Sequence, residues 1–248
     1  MAKPPRFYLP AQFFSAETAV LTPGVARHAT ATLRMRAGDH LVLFDGTGKE
    51  YDATLRARGK HDWEAVIERV KDGIYEKSPL IILHSAPIKK ERWEWLLEKA
   101  VELGAGAVVP LLTRHVEIDI RENFAKKKER WESIIISACE QSGRSIIPEL
   151  SYPIDFGPAI EKHAGRSILF HEKGSDRRGA SDAASALGPT DTIAIFIGPE
   201  GGFSEEEVAL AAASNVAAAH LGDHVLRAET AALAALSVLA EWKRSRPE

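Results

Sequence analysis

Two short stretches late in the chain carry residue types suited to chemistry. Ile197-Gly198-Pro199-Glu200-Gly201-Gly202-Phe203-Ser204 follows an apolar run. Its glycines let the backbone pass close to a ligand with its N–H and C=O groups exposed. Leu221-Gly222-Asp223-His224-Val225-Leu226-Arg227-Ala228-Glu229-Thr230 follows another apolar run and leads into a helical pattern, with Leu226 flanked by His224, Arg227 and Glu229. The plain reading of the first stretch is a strand-to-helix turn in which Ser204 and Glu207 form a capping box. The plain reading of the second is an Arg–Glu pair closing a helix N-terminus. Open α/β sheets bind ligands at the carboxyl ends of their strands. Two glycine-bearing, acidic bends at successive strand ends therefore favour a shared pocket over two unrelated turns.

The elements that must position these bends are legible from periodicity. Apolar runs at Leu80–His84, Ala107–Leu112, Ser167–Phe170, Thr192–Ile197 and Ala217–Leu221 read as buried strands. Between them, Trp93, Leu96, Leu97, Ala100 and Val101 form a helical stripe over Glu91–Leu103, with Gly104 as its stop. Trp131, Ile134, Ile135, Ala138 and Cys139 mark a helix over Glu129–Ser142; further helices start at Glu205 and run from about Glu229 to Arg244. Such alternation predicts a parallel sheet with helices on both faces. Gly174–Thr190 reads as a flexible loop with at most one weak helical turn.

The first 73 residues differ. His40–Phe44 is an apolar run, Asp45-Gly46-Thr47-Gly48 is turn chemistry, and Tyr51, Ala53, Leu55 and Ala57 alternate with polar residues. Another turn, Gly59–Asp62, leads to a strand from Trp63 to Val70, and a short helix fits between Thr22 and Ala37. Short strands and frequent turns predict a small barrel over residues 1–73, followed by an α/β domain over residues 74–248. No internal repeat is visible.

Composition narrows the function classes. The 248 residues are 45% hydrophobic and 27% charged, with a formal net charge of −3, as expected of a folded globular protein. No apolar run approaches the roughly 20 residues of a membrane span, and MAKPPRFYLP lacks the apolar core of a signal peptide. The expectation is a cytoplasmic protein without membrane association. A single cysteine, Cys139, excludes an internal disulfide, and no zinc spacing of histidines occurs, so no metal is expected. G-x-G-x-x-G after a strand, G-x-x-x-x-G-K-[ST] and G-x-S-x-G are all absent, which disfavours a Rossmann dehydrogenase, a P-loop ATPase and an α/β-hydrolase. His171 with Glu172 is a candidate acid/base pair, with a structural histidine as the alternative.

Residues 1–73 carry eleven Lys and Arg against nine Asp and Glu, a weak asymmetry. Local basic clusters matter more than the total: Arg34-Met35-Arg36, the pair Arg56 and Arg58 on one face of a strand, and Lys126-Lys127-Lys128 at the opening of a helix. Such residues suit phosphate contacts, which position RNA without reading its bases; a solvated surface is the alternative.

The ordered set of R-F-Y near the start, L-R-M-R-A-G-D…F-D-G-T-G-K-E-Y, K-A-V-E-L-G-A…P, E-R-W…A-C-E-Q-S-G-R…P, I-G-P-E-G-G-F-S-E-E-E and L-G-D-H-V-L-R-A-E-T-A resembles the RsmE family of ribosomal RNA methyltransferases over nearly the whole chain. The chain departs from the family's pattern at Thr113–Glu117 and at Asp223-His224, where a Pro-Arg pair is frequent. The resemblance implies a PUA-like β-barrel followed by a SPOUT-type parallel sheet with a C-terminal trefoil knot. It implies S-adenosyl-L-methionine as methyl donor, N3 of a uridine in 16S rRNA as acceptor, with the rRNA either free or within the small ribosomal subunit, and a homodimer with the active site at the interface. A SPOUT enzyme acting on a ribose 2′-hydroxyl or on tRNA is one alternative, and a non-catalytic RNA-binding protein is another.

If the two bends are the threaded loops, they hold the cofactor mainly through main-chain groups, with Ile197, Gly198, Glu200, Gly201, Leu221, Gly222, Val225, Leu226 and Thr230 as the binding set. Arg227 is expected to stabilise the N3-deprotonated uracil, Glu229 to orient Arg227, Glu200 to accept the proton, and Thr230 to add a hydrogen bond or cap the last helix. Arg6, Arg34, Arg36 and Arg56 are the expected RNA contacts. The block Glu140-Gln141-Ser142-Gly143-Arg144 reads equally as a substrate contact or as a helix end fixed by polar contacts.

Overall fold

The computed structural model describes residues 3–59, 62–74, 78–171 and 178–246. The chain divides into two compact units, Met1–Tyr75 with Ile136–Ile147, and Glu76–Ile135 with Pro148–Glu248.

In the first unit, β1 (Arg6–Tyr8), β2 (Thr18–Val20), β3 (His40–Phe44), β4 (Lys49–Ala57) and β5 (Trp63–Asp72) form one mixed sheet in the order β1-β3-β4-β5-β2. β1 pairs with β3 in parallel, and every other ladder is antiparallel. The expected small barrel is this five-stranded mixed sheet, in which no ladder joins β1 to β2 among the described residues. The alternation along β4 puts Ala53 and Leu55 into a core with Phe7, Leu9, Leu41, Leu43 and Ala65. The expected short helix is α1 (Pro23–Arg27), capped by the Thr22 hydroxyl and continued to Thr32 by a wider turn.

The expected division after residue 73 leaves out a segment. Ile136–Ile147 groups with the N-terminal unit, and the contacts show why. Glu140 Oε1 accepts from the Tyr8 amide at 2.9 Å, satisfying an edge-strand donor. Arg6 Nη2 donates to the carbonyls of Gly143 and Arg144, both at 3.3 Å. The polar helix end at 140–144 thus serves that unit's packing.

The second unit is built on a parallel sheet. Its elements are β6 (Leu80–Ser85), α2 (Lys90–Glu102), β7 (Ala105–Leu112), α3 (Arg121–Ser142, of which the last turns belong to the first unit), β8 (Glu149–Leu150), β9 (Ile154–Asp155), α4 (Phe156–Lys162), β10 (Ser167–Phe170), α5 (Ala180–Ala186), β11 (Thr192–Ile197), α6 (Glu205–Ala213), β12 (Ala217–Ala219) and α7 (Ala228–Ser245). The strand order is β12-β10-β11-β6-β7-β8, with β9 also on β7, and every pairing is parallel. β10 and β11 are apolar on both faces because helices cover both. α2 buries the predicted stripe, and Gly104 (φ +85°) ends it. α7 returns from the edge strand β12 to pack on α2, α5, β6 and β11.

Three elements exceed the sequence reading. α3 begins two turns early, at Arg121, whose amide donates to Asp119 Oδ1. α5 occupies the expected loop: Ala180, Ala183 and Ala184 bury against neighbours, and Ser185 Oγ accepts from Trp242 Nε1 at 2.9 Å. α4 contains Gly157 and Pro158 in its first turn, where proline is tolerated. Residues 174–177 of the expected loop, and Glu172 of the His171–Glu172 pair, lie outside the described residues.

Candidate active site

The sheet register brings the two bends to one edge. Ile197 pairs with Ser85 and with Phe170, and Phe170 with Ala219, so β6, β10, β11 and β12 end side by side. The first bend is tightly held. Gly202 N donates to Pro199 O at 2.9 Å, and Phe203 is buried. A Cβ on Gly198 would stand 3.2 Å from the Phe203 ring, and one on Gly201 3.1 Å from His115 Cβ. His115 Nδ1 lies 3.2 Å from Gly201 O. The predicted capping box is present: Glu207 N donates to Ser204 Oγ, and Ser204 N to Glu207 Oε2. Glu207 Oε1 also accepts from the Arg114 amide at 2.8 Å, bracing the bend against the loop after β7.

The second bend is open. Gly222 (φ +115°) donates its amide to His220 Nδ1 at 3.1 Å. Main-chain groups of Leu221, Val225 and Leu226 enter no hydrogen bond among the described residues. Val225 is 78% exposed. Arg227 is the N-cap residue of α7, with an exposed side chain that caps nothing.

Arg92, on α2, joins the bends. Its Nη1 lies 3.0 Å from Glu200 Oε1 on the first bend and 3.5 Å from both carboxylate oxygens of Glu229 in the first turn of α7. Glu229 is buried, at 6% exposure. A cavity of about 360 Å³ opens here, lined by Glu91, Arg92, Trp95, Arg227, Glu229 and Thr230. A second cavity of about 400 Å³, around the end of β7, α4 and α6, contains none of the predicted residues.

The structure therefore gathers Arg227, Glu229 and Thr230 around one cavity, with Glu200 joined to it through Arg92, but corrects one pairing. Glu229 faces Arg92, not Arg227, because the helical turn sends its carboxylate inward. Thr230 lies inside the first turn of α7 and does not cap it. Arg92, Trp95 and His115 escaped sequence reasoning. The available signal was Trp95, a large ring out of phase with the buried stripe of α2 and 45% exposed.

Among the expected RNA contacts, Arg6 is corrected. Its Nη1 pairs with Glu50 at 2.9 Å and its Nη2 reaches Ser145 Oγ and two carbonyls, so its charge is spent inside the N-terminal unit. Arg56 and Arg58 both meet Glu64. Arg34 and Arg36 are exposed. Of the helix cluster, Lys128 pairs with Glu132 and lies over the Tyr152 ring.

Comparison with known proteins decides the family. Residues 76–240 match the RNA methyltransferase domain, and residues 21–70 match the RNA methyltransferase PUA domain. The ribosomal RNA small subunit methyltransferase E of a Synechocystis strain is 33% identical over 92% of this chain and 74% of its own. The chain belongs to the ribosomal RNA small subunit methyltransferase E family. The Rickettsia conorii member is 30% identical, covering 85% of this chain and 84% of that protein. A Neisseria gonorrhoeae member, solved bound to S-adenosyl methionine, superposes with a TM-score of 0.82 at 33% identity over 96% of this chain and 98% of that chain. A Legionella pneumophila protein in complex with bound SAM gives 0.84 at 35% identity over 97% and 98%. The PUA-like and α/β parts expected from the methyltransferase resemblance thus correspond to the two matched domains. No helix of the described residues is long and apolar enough to cross a membrane.

Proposed function

We propose that this chain is an S-adenosylmethionine-dependent methyltransferase acting on N3 of a uridine in 16S rRNA. The observation that carries the reading is the meeting of the two bends at Arg92, beside a cavity that also holds Arg227.

The residues present fit the cofactor. The second bend offers uncommitted main-chain donors and acceptors beside an exposed apolar Val225, which suits a nucleoside and an aliphatic tail without phosphates. At Gly198 and Gly201 the first bend packs closely on Phe203 and His115 with no side chain of its own, so there it presents main chain. Ile197, Gly198, Glu200, Gly201, Leu221, Gly222, Val225, Leu226 and Thr230 would hold the group. When bound, S-adenosylmethionine supplies an electrophilic methyl group on a sulfonium.

This chain's own task is to place and activate the acceptor. Neutral uridine N3 bears a proton and is a poor nucleophile. Arg227, a cation at the mouth of the cavity, stabilises the charge that spreads onto the flanking carbonyl oxygens as the proton leaves. Its planar fork can hold a base edge in a fixed orientation. Glu200, with its side chain 45% exposed, is the carboxylate placed to receive the proton. Glu229, held by Arg92, fixes the first turn of α7 and through it Arg227. Arg34, Arg36 and Arg56 contact rRNA phosphates.

The return of α7 from the sheet edge onto α2, β6 and β11 supports a threaded trefoil at the two bends. Exposed Trp95, which lines the cavity, and exposed Val225 in the second bend support a homodimer completing the site. A cytoplasmic location, where ribosomal subunits are made, follows from the substrate.

The test is calorimetric titration with S-adenosylmethionine, followed by transfer of a labelled methyl group to deproteinised 16S rRNA and to assembled small subunits. Binding and transfer to either substrate are expected. Failure to bind the cofactor would leave an RNA-binding protein without catalysis.

A further inference from the structure

We propose that Arg92 is a positioning residue that ties the cofactor bend to the helix carrying Arg227, and that transfer depends on this tie without Arg92 contacting the uracil. The inference rests on the methyltransferase reading above.

Arg92 stands on a rigid base. Its neighbours Trp93, Leu96, Leu97, Ala100 and Val101 are each at most 2% exposed, so α2 cannot shift without opening the core. From this base one guanidinium nitrogen meets carboxylates from two segments that the chain separates by a strand, a helix and a bend. Glu229 is buried, and a buried carboxylate is costly unless it has a partner. Among the described residues, Arg92 is the cation within ion-pair distance of it. Glu200 belongs to the bend proposed to carry the cofactor, while Glu229 lies two positions after Arg227, proposed to carry the acceptor.

Arg92 therefore sets the spacing between donor and acceptor. In-line displacement is steep in that spacing: a misplacement of about 1 Å can cost on the order of 10²-fold in rate. Lysine keeps the charge but replaces the planar guanidinium with a compact ammonium on a different stem, so it restores the tie only in part.

The experiment is single-turnover methyl transfer to 16S rRNA by wild type, Arg92→Met, Arg92→Lys, Glu229→Gln and the Arg92→Met/Glu229→Gln pair, with RNA affinity measured alongside. The expected result is a rate loss of about 10²-fold for Arg92→Met, with RNA affinity unchanged. Arg92→Lys should recover part of the rate, and Arg92→Met should cost far less in the Glu229→Gln background. If Arg92→Met does not fold, an intermediate rate for Arg92→Lys at wild-type RNA affinity supports the tie, and a wild-type rate for it overturns the tie. Wild-type transfer with a full rate in Arg92→Met, or with equal losses in both backgrounds, overturns the role of Arg92 alone. No transfer by wild type overturns the methyltransferase reading and this inference together.

Discussion

Arg227 and Glu229 stand two residues apart, yet their environments separate their roles. Arg227 is exposed at the cavity, whereas Glu229 is buried against Arg92. Arg227→Ala should therefore keep S-adenosylmethionine affinity near wild type and lower the single-turnover rate by roughly 10²-fold, the size of one removed electrostatic donor; paired calorimetry and rate measurements check this. A different pair concerns stability. His84 and His163 are buried with ring centroids 5.0 Å apart, and His84 stacks on Phe196. Burial first, then the neighbouring His163 and Lys162, pull the His84 pKa from 6.5 to about 3. Burial, with Lys162 and Arg166, pulls His163 to about 4. The unfolded chain therefore takes up protons below pH 6.5 that the native state refuses. Stability is complete above pH 6.5 and declines as pH falls toward 4. At pH 5.5 His84 alone costs about 1.4 kcal/mol. Urea midpoints at pH 7.5 and 5.5 should differ accordingly, and His84→Leu should reduce the difference.

At the level of elements, legibility followed length and periodicity. α2, with five buried residues in helical phase, and the Ser204–Glu207 capping box were readable because short-range physics fixes them. β1 and β2, three residues each, carry no measurable period; β1 forms because β3 offers it a parallel partner. The first turns of α3 are polar apart from buried Phe124, so their helicity comes from packing and from the Asp119 cap. The bends were recognisable by their glycines, but the residue joining them was not, because Arg92 sits on an element whose apolar stripe alone was informative. The close packing of the first bend yields a further expectation. Gly198→Ala would force a Cβ to within 3.2 Å of the Phe203 ring, so the bend must shift. Its affinity for S-adenosylmethionine should fall about tenfold, equivalent to about 1.4 kcal/mol, as read by calorimetry.

For the molecule as a whole, the expected arginines all lie in the first unit but are of two kinds. Arg6 is internal to the first unit, with side chains of Arg6 and Glu50 17% and 9% exposed. Arg6→Met should destabilise the fold, by less than the about 3–5 kcal/mol of a fully stranded buried carboxylate, because Lys71 and the Ser145 hydroxyl still meet Glu50, and chemical denaturation measures this. Arg34 and Arg36 are exposed, so replacing both with Gln should leave stability near wild type and flatten the salt dependence of RNA binding, since fewer counterions are released. Sequence alone could not sort these arginines, because Glu50, Ser145 and the 143–144 carbonyls meet Arg6 only in the folded unit. The central claim is that the two bends hold a methyl donor against a uridine of small-subunit RNA. Nucleoside mass spectrometry tests it most directly, on 16S rRNA from cells lacking this protein before and after incubation with the purified chain and methyl-labelled S-adenosylmethionine. The account predicts labelled 3-methyluridine at a single position, absent before incubation. Label on a ribose 2′-hydroxyl, or none at all, would contradict it.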